Sequence, residues 1–263
     1  MARPRKPLLS RALIVEAARA LVDAEGLEAV STRRLAAALG VSGPSLYNHF
    51  RTKDEILDAV ADSVSERVDL SMFEPLTSPG AGTESGGAGG SRDGSGGGAR
   101  GSRDGSGAGA GAGDGPGGGD WDGSGGGDWR TALHDWAHSY RDALSDHPNI
   151  VPVLARGPGR RPAGLRVADA VFGAMTAAGW PPAQATRIGA LMRYFILGAA
   201  VGSFAGGFVD DETAYDPSAY PHLGQAHLLA DRRREVDDGA FETGLTALLD
   251  GLALQYEALR AAS

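Results

Sequence analysis

Residues 31–53 read STRRLAAALGVSGPSLYNHFRTK, and the reading of this stretch decides the fold. Ser31 is a helix N-cap residue, and the pattern Arg33, Leu35, Ala36, Leu39 predicts a short helix that ends at Gly40, with Val41 in the turn. Ser42 can cap a second, very short helix, since Pro44 fits a first turn where its missing N–H costs nothing. That helix carries Ser45, Leu46, Tyr47, Asn48 and His49. Two short helices joined by Gly40, Val41 and Ser42 make a helix-turn-helix pattern. Leu35, Ala36, Leu39, Val41, Leu46 and Phe50 fill its small core, which leaves Gly43, Pro44, Ser45, Tyr47, Asn48 and His49 pointing outward. Small residues at 43–45 let the helix start approach a groove closely, where backbone amides favour phosphate. Tyr47 and His49 can donate to phosphate oxygens, and Thr32, Arg33 and Lys53 flank the same surface. Gly43, Pro44 and Ser45 carry no paired donors of the kind that select guanine or adenine, so the bases read are not encoded here.

Working outward, Leu13, Ile14, Ala17, Ala18, Leu21 and Val22 repeat at helical spacing between a capping Ser10 and a terminating Gly26. Thr52 with Glu55 is a capping-box signature for a further helix displaying Ile56, Leu57, Val60 and Val64. Residues 80–127 hold 24 of the 41 glycines, and Gly-Ser-Arg-Asp-Gly-Ser-Gly recurs at 90–96 and 101–107. With almost nothing to bury, this stretch reads as a flexible insert over 78–128. Helical periodicity resumes with Trp129, Leu133, Trp136, Ala137, Tyr140 and Leu144, continues over Leu165–Ala178, and becomes apolar nearly all round over Ala183–Phe208. It closes with the stripe Phe241, Leu245, Leu248, Leu249, Leu252, Tyr256 and Leu259. No useful alternating pattern appears, so the chain reads as all-α. The expected organisation is a basic arm with a helix-turn-helix unit over 1–52, a connecting helix over 53–77, the insert, and a helical regulatory and dimerisation unit over 129–263.

Charge divides the chain in the same place. The net charge of −8 hides nine Lys/Arg against four Asp/Glu in residues 1–53 and 16 against 29 in the rest. A basic head of this kind suits a polyanion. The absence of cysteine excludes disulfide scaffolds, thiolate chemistry and cysteine-ligated metals. The basic start is followed only by Leu8 and Leu9, too little for a secretory signal, which predicts a cytoplasmic location. Ile188–Phe208 is long enough to span a bilayer, yet it contains Arg193 and five glycines, so no membrane partner is expected.

The run Ala17-Ala18-Arg19-Ala20-Leu21, Gly26-Leu27, Ser31 to Ala36, Leu39-Gly40-Val41-Ser42 and Pro44 to Phe50 with Lys53 resembles the TetR family of bacterial transcriptional regulators. Arg3, Arg5 and Lys6 resemble the basic arms that precede such domains. The resemblance implies a homodimer on a palindromic double-stranded DNA operator, usually a repressor released by a small molecule. Residues 129–198 resemble the tetracycline-repressor type of regulatory domain through Trp129, Leu133, Ala137, Ser139-Tyr140-Arg141, Ala143-Leu144, His147, Gly179-Trp180 and Phe195 to Gly198. Leu154 and Gly202 stand where that type has a His ligand and a Glu, which disfavours tetracycline-magnesium as inducer. An apolar or aromatic effector suits these helices better, with Trp136, Tyr140, Phe172, Met175, Met192 and Phe195 as pocket walls. The all-round apolar helix and the final stripe are expected to pair with their copies in a second subunit, with Gly189, Gly198 and Gly202 allowing close approach.

His134 and His138, one turn apart, also resemble a metalloprotease pair with Asp135 in place of Glu, and an α-helical metal-dependent hydrolase is the competing reading. No third ligand is indicated, and no Ser/His/Asp set, phosphate loop or dinucleotide fingerprint stands out. The expectation is therefore a regulator with no catalytic residues, no metal and no cofactor.

Overall fold

The computed structural model describes residues 9–77 and 128–262. Arg3, Arg5 and Lys6 of the expected arm, and residues 78–127 of the expected insert, lie outside them. All regular structure among the described residues is helical.

Each N-terminal helix begins and ends on the local signal its sequence carries. The first, α1 (Arg11–Glu25), starts where the Ser10 hydroxyl accepts the Leu13 N–H at 3.2 Å, stops at Gly26, and buries Ile14, Ala18 and Val22. The second, α2 (Thr32–Leu39), is capped by Ser31 through the Arg34 N–H. It stops at Gly40, which sits in the left-handed region at φ 64° and donates its N–H to the carbonyls of Ala36 and Ala37. A side chain with a Cβ is strained at that φ, so glycine makes the turn. The third, α3 (Gly43–Tyr47), is shorter than the sequence suggests, because Asn48 and His49 leave the helix in a tight turn on the Leu46 carbonyl. Ser42 does not cap it through its side chain. The Ser42 and Ser45 hydroxyls, 2.7 Å apart, satisfy each other instead.

The fourth helix, α4 (Lys53–Ser65), begins with the Thr52 hydroxyl accepting the Glu55 N–H at 3.1 Å. The Glu55 carboxylate returns the bond one residue early, to the Arg51 N–H at 2.7 Å. Its buried face, Ile56, Leu57, Val60, Ala61 and Val64, packs on α1 and continues into the C-terminal helices. A short α5 (Glu74–Thr77) follows.

The C-terminal half comprises α6 (Trp129–Ser145), α7 (Val151–Ala155), α8 (Pro162–Ala177), α9 (Pro182–Ala200) and α10 (Arg233–Ala261). The expected all-round apolar helix is therefore shorter than 183–208. It stops near Ala200 and gives way to turns, including one over Ala205–Gly207. Its inner residues Ile188, Met192 and Ile196 pack with α6 and α8. Arg193, the charge that argues against a bilayer span, donates to the Leu154 carbonyl. Gly189 serves packing inside this chain: a Cβ there would fall 2.4 Å from the Phe172 ring on α8. A Cβ at Gly198 or Gly202 would meet nothing within 4 Å.

The terminal stripe also turns inward. Phe241, Leu245, Leu249 and Leu252 are buried within this chain, on a helix that packs against α6 and α9. Leu248, Tyr256 and Leu259 of the same stripe stay half-buried. Trp129, Trp180 and Tyr256 close the end of the bundle, with ring centroids 5.1 to 5.6 Å apart.

Candidate DNA-binding surface and regulatory core

The helix-turn-helix unit rests on a base with almost no solvent access. Leu35 and Leu46 are fully buried, Phe50 nearly so, and Leu39 and Val41 pack against them. Arg11 fastens the exit of α3, donating to the His49 carbonyl at 2.6 Å while its guanidinium lies 3.9 Å from the Phe50 ring centroid. Arg34 and Glu25 form a two-pronged ion pair at 2.5 and 2.8 Å that ties the end of α1 to the start of α2. The hydrogen bond from Arg34 holds the Glu25 carboxyl below its ordinary range, and Arg34 is raised in return.

Above this base stand the residues singled out for phosphate and groove contact. Tyr47 is 55% exposed despite its aromatic ring, and Arg33, Pro44 and Asn48 are exposed. Thr32, Gly43, Ser45, His49 and Lys53 are half-buried. They occupy the first turn of α2, the whole of α3 with the turn after it, and the first residue of α4. Lys53 is held loosely, its Nζ 3.4 Å from a Glu28 whose side chain is almost wholly exposed.

A buried polar junction joins this unit to the C-terminal helices, and local sequence carried no sign of it. His147, just beyond α6, is 7% exposed. Its Nε2 lies 2.7 Å from Arg67 Nη1, which can only donate, so Nε2 accepts and Nδ1 carries the proton. Nδ1 then donates to Asp23 on α1, both of whose carboxylate oxygens lie at 2.9 Å. Asn149 adds bonds to the Val22 and Asp23 carbonyls at the end of α1. Asp62 of α4 likewise caps a distant helix, accepting the N–H groups of Ala163 and Gly164 at the start of α8. Replacing His147 with Ala removes its hydrogen bonds to Arg67 and Asp23 and is expected to cost about 1–3 kcal/mol. Thermal melting checks this, and His147→Gln, which keeps two polar ends, should lose less.

The six residues expected to line a pocket sit in the core of α6, α8 and α9. Trp136, Tyr140, Met175 and Met192 are buried, while Phe172 and Phe195 are partly so. Trp136 and Tyr140 have ring centroids 6.0 Å apart, and Phe195 stacks on Phe241 at 5.1 Å. Two surface clefts, of about 910 and 800 Å³, are lined by none of the six. Trp136 Nε1–H is nevertheless buried with no hydrogen-bond partner among the described residues. Burial pushes the Tyr140 phenol above its ordinary value, against the pull of Arg193 and Arg161 and a hydrogen bond with Ser65. Burial also lowers Arg161, whose guanidinium spends its donors on the carbonyls of Val153, Gly157 and Pro158. Leu154 is buried and apolar, and Gly202 is exposed beyond α9, so neither offers a metal ligand side chain. His134 and His138 lie on another face of α6, half exposed.

Comparison with known proteins covers both halves. Residues 14–60 match the model of "Bacterial regulatory proteins, tetR family", and residues 123–256 match that of the "Tetracyclin repressor-like, C-terminal domain". Tetracycline repressor protein class A from transposon 1721 of Escherichia coli is 26% identical over 252 residues, 91% of this chain and 88% of that protein. The HTH-type transcriptional repressor DrrR1 of Streptomyces coeruleorubidus is 48% identical over 62 residues, 24% of this chain and only 23% of its own length. The crystal structure of a possible TetR family transcriptional regulator from Streptomyces coelicolor A3(2) superposes with a TM-score of 0.61 at 25% identity, covering 93% of this chain and 99% of that one.

Proposed function

The chain belongs to the tetR family of bacterial regulatory proteins, DNA-binding transcriptional regulators rather than enzymes, and from that premise we propose a homodimeric repressor that holds a palindromic operator until a small apolar or aromatic effector releases it. Residues 1–52 form the DNA-binding unit, 53–77 the connector and 129–263 the regulatory and dimerising unit. Arg3, Arg5 and Lys6 reach the minor groove, Thr32, Arg33, Tyr47, Asn48, His49 and Lys53 hold the backbone, and Gly43, Pro44 and Ser45 lie against base edges.

One observation carries the DNA reading. A helix of five residues presents Tyr47 at 55% exposure while Leu46 beside it is fully buried. An aromatic hydroxyl held outward on so buried a base has a surface role. Tyr47→Ala is expected to weaken operator binding roughly 10-fold or more, since a hydrogen bond to a charged group is worth about 1.5–3 kcal/mol. Lys53→Ala should reduce the salt dependence by about one phosphate contact. Gel-shift titration on DNA upstream of its own or a neighbouring gene measures both, and absence of binding at low salt sinks the proposal.

Dimerisation is supported by the outer face of α9. Leu191, Tyr194 and Gly198 recur there at spacings of three and four, with Val201 and Phe204 just beyond, and Leu191, Tyr194, Val201 and Phe204 are exposed large apolar side chains. Only 33% of the most apolar window of this segment is buried in a single chain. A two-fold pairing through this face covers it and would set two copies of α3 about 34–36 Å apart, one DNA turn.

In this reading the effector lies among Trp136, Tyr140, Phe172, Met175, Met192 and Phe195, and the Trp136 indole N–H, buried with no partner among the described residues, awaits an acceptor. Entry there displaces α6, and α6 leads directly into the His147 junction with α1. A hundredfold loss of operator affinity requires the effector to prefer the released state by about 2.7 kcal/mol.

A further inference from the structure

His134 and His138 stand one turn apart on α6 with ring centroids 4.6 Å apart, and the fold brings Glu242 of α10 to them. Glu242 Oε1 lies 3.2 Å from His138 Nε2, and one ligand atom from each of the three residues lies within 4.8 Å of the others. Two observations separate this cluster from an ordinary solvated group. His138 Nε2 is itself buried and makes no hydrogen bond among the described residues, despite its nearness to the carboxylate. His134 Nδ1 is 3.1 Å from Asp135 Oδ1, the outer pairing that orients a metal-binding imidazole and leaves Nε2 free to ligate.

We propose that His134, His138 and Glu242 bind a divalent transition metal of the Zn²⁺ class, with solvent completing the coordination. Two imidazoles and one carboxylate suit zinc, copper or nickel, whereas calcium and magnesium require oxygen ligands. Ligands bound at about 2.0–2.1 Å around a tetrahedral ion lie roughly 3.3 Å apart, so small side-chain rotations close the present spacing. The side chains have that freedom, with 44%, 34% and 50% exposure for His134, His138 and Glu242. Phe241 meets the His138 ring edge-on at 5.4 Å and limits how far that ring swings. The open cleft of about 910 Å³, lined by Asp135, His138, Ser139 and Asp142 among others, supplies an entry path. A bound ion pins α6 to α10, and α6 is the helix that carries Trp136 and Tyr140 on its inner face.

The test is calorimetric titration of ZnCl₂ into the full, tag-free chain after stripping with a chelator. One Zn²⁺ per protomer is expected, with a rise in melting temperature of roughly 5–10 °C at free zinc a hundredfold above the Kd. His134→Ala and His138→Ala should each weaken binding at least about 10-fold, and Glu242→Gln should weaken it in the same direction. His138 contacts Phe241 and its loss can disturb folding, so the more exposed His134 decides the question. A His222→Ala, His227→Ala double variant should bind as the parent does. No stoichiometric uptake by the parent, an unchanged isotherm for His134→Ala, or loss of binding in the His222/His227 variant overturns the proposal.

Discussion

Leu46→Ala is expected to abolish measurable operator binding while leaving the C-terminal helices folded. Leu46 is the one fully buried residue of α3, and Leu35 and Phe50 enclose it. Truncating such a leucine costs about 2–5 kcal/mol, through lost transfer energy and the cavity left behind. Five residues make too short a helix to persist without tertiary support, so α3 loses its position once that anchor goes. The effect is concentrated where the local core is small. Fluorescence anisotropy with labelled operator reads the loss of binding, and hydrogen exchange should show α2 and α3 opening while α6, α8 and α9 stay protected. Leu46→Met keeps the volume, should cost less than about 1.5 kcal/mol and should retain binding. If Leu46→Ala binds as the parent does, the α3 platform is not what presents the contacts.

Trp136→Ala should be the most destabilising change in the C-terminal half. The side chain is 2% exposed and lies against Phe73 and Tyr140, so its removal empties the centre of the α6 packing. Burial on this scale is worth about 3–5 kcal/mol, which lowers the melting temperature by roughly 10 °C for a chain of this size. Trp136→Phe separates packing from hydrogen bonding. It retains a ring but removes an N–H that has no partner among the described residues, and a buried unpaired donor costs about 1–3 kcal/mol. The loss of volume and the relief of that donor oppose each other, so the Phe variant should melt close to the parent. Its response to an effector should change, because the awaiting donor is gone. A Phe variant as unstable as the Ala variant would mean that the indole N–H is bonded after all.

Local pattern determines structure where neighbours in sequence are neighbours in space. Ser10, Ser31 and Thr52 cap the helices they precede, and Gly26 and Gly40 end theirs. Their bonds reach three or four residues, within the span that a pattern of residue types describes. The inner face of α6 was legible for the same reason, since Trp129, Leu133, Trp136, Ala137, Tyr140 and Leu144 recur at helical spacing and all are buried. Ser42 departs from the cap its position predicts because its hydroxyl pairs with the nearby Ser45 hydroxyl in place of the backbone. In the terminal stripe, periodicity states only that a face is covered, not by what.

What the sequence alone determined was the set of helices, their caps, the helix-turn-helix spacing and the concentration of positive charge near the amino end. Only the tertiary structure decided that Asp62 caps α8, that His147 joins Asp23 to Arg67, that α10 turns its stripe inward, and that Glu242 completes a trio with His134 and His138. The reason is the range of the interactions. Caps and amphipathic faces depend on dihedral preferences and spacings within one turn, so residue types record them directly. Contacts between residues a hundred positions apart depend on where packing returns the chain, and no local pattern of residues carries that.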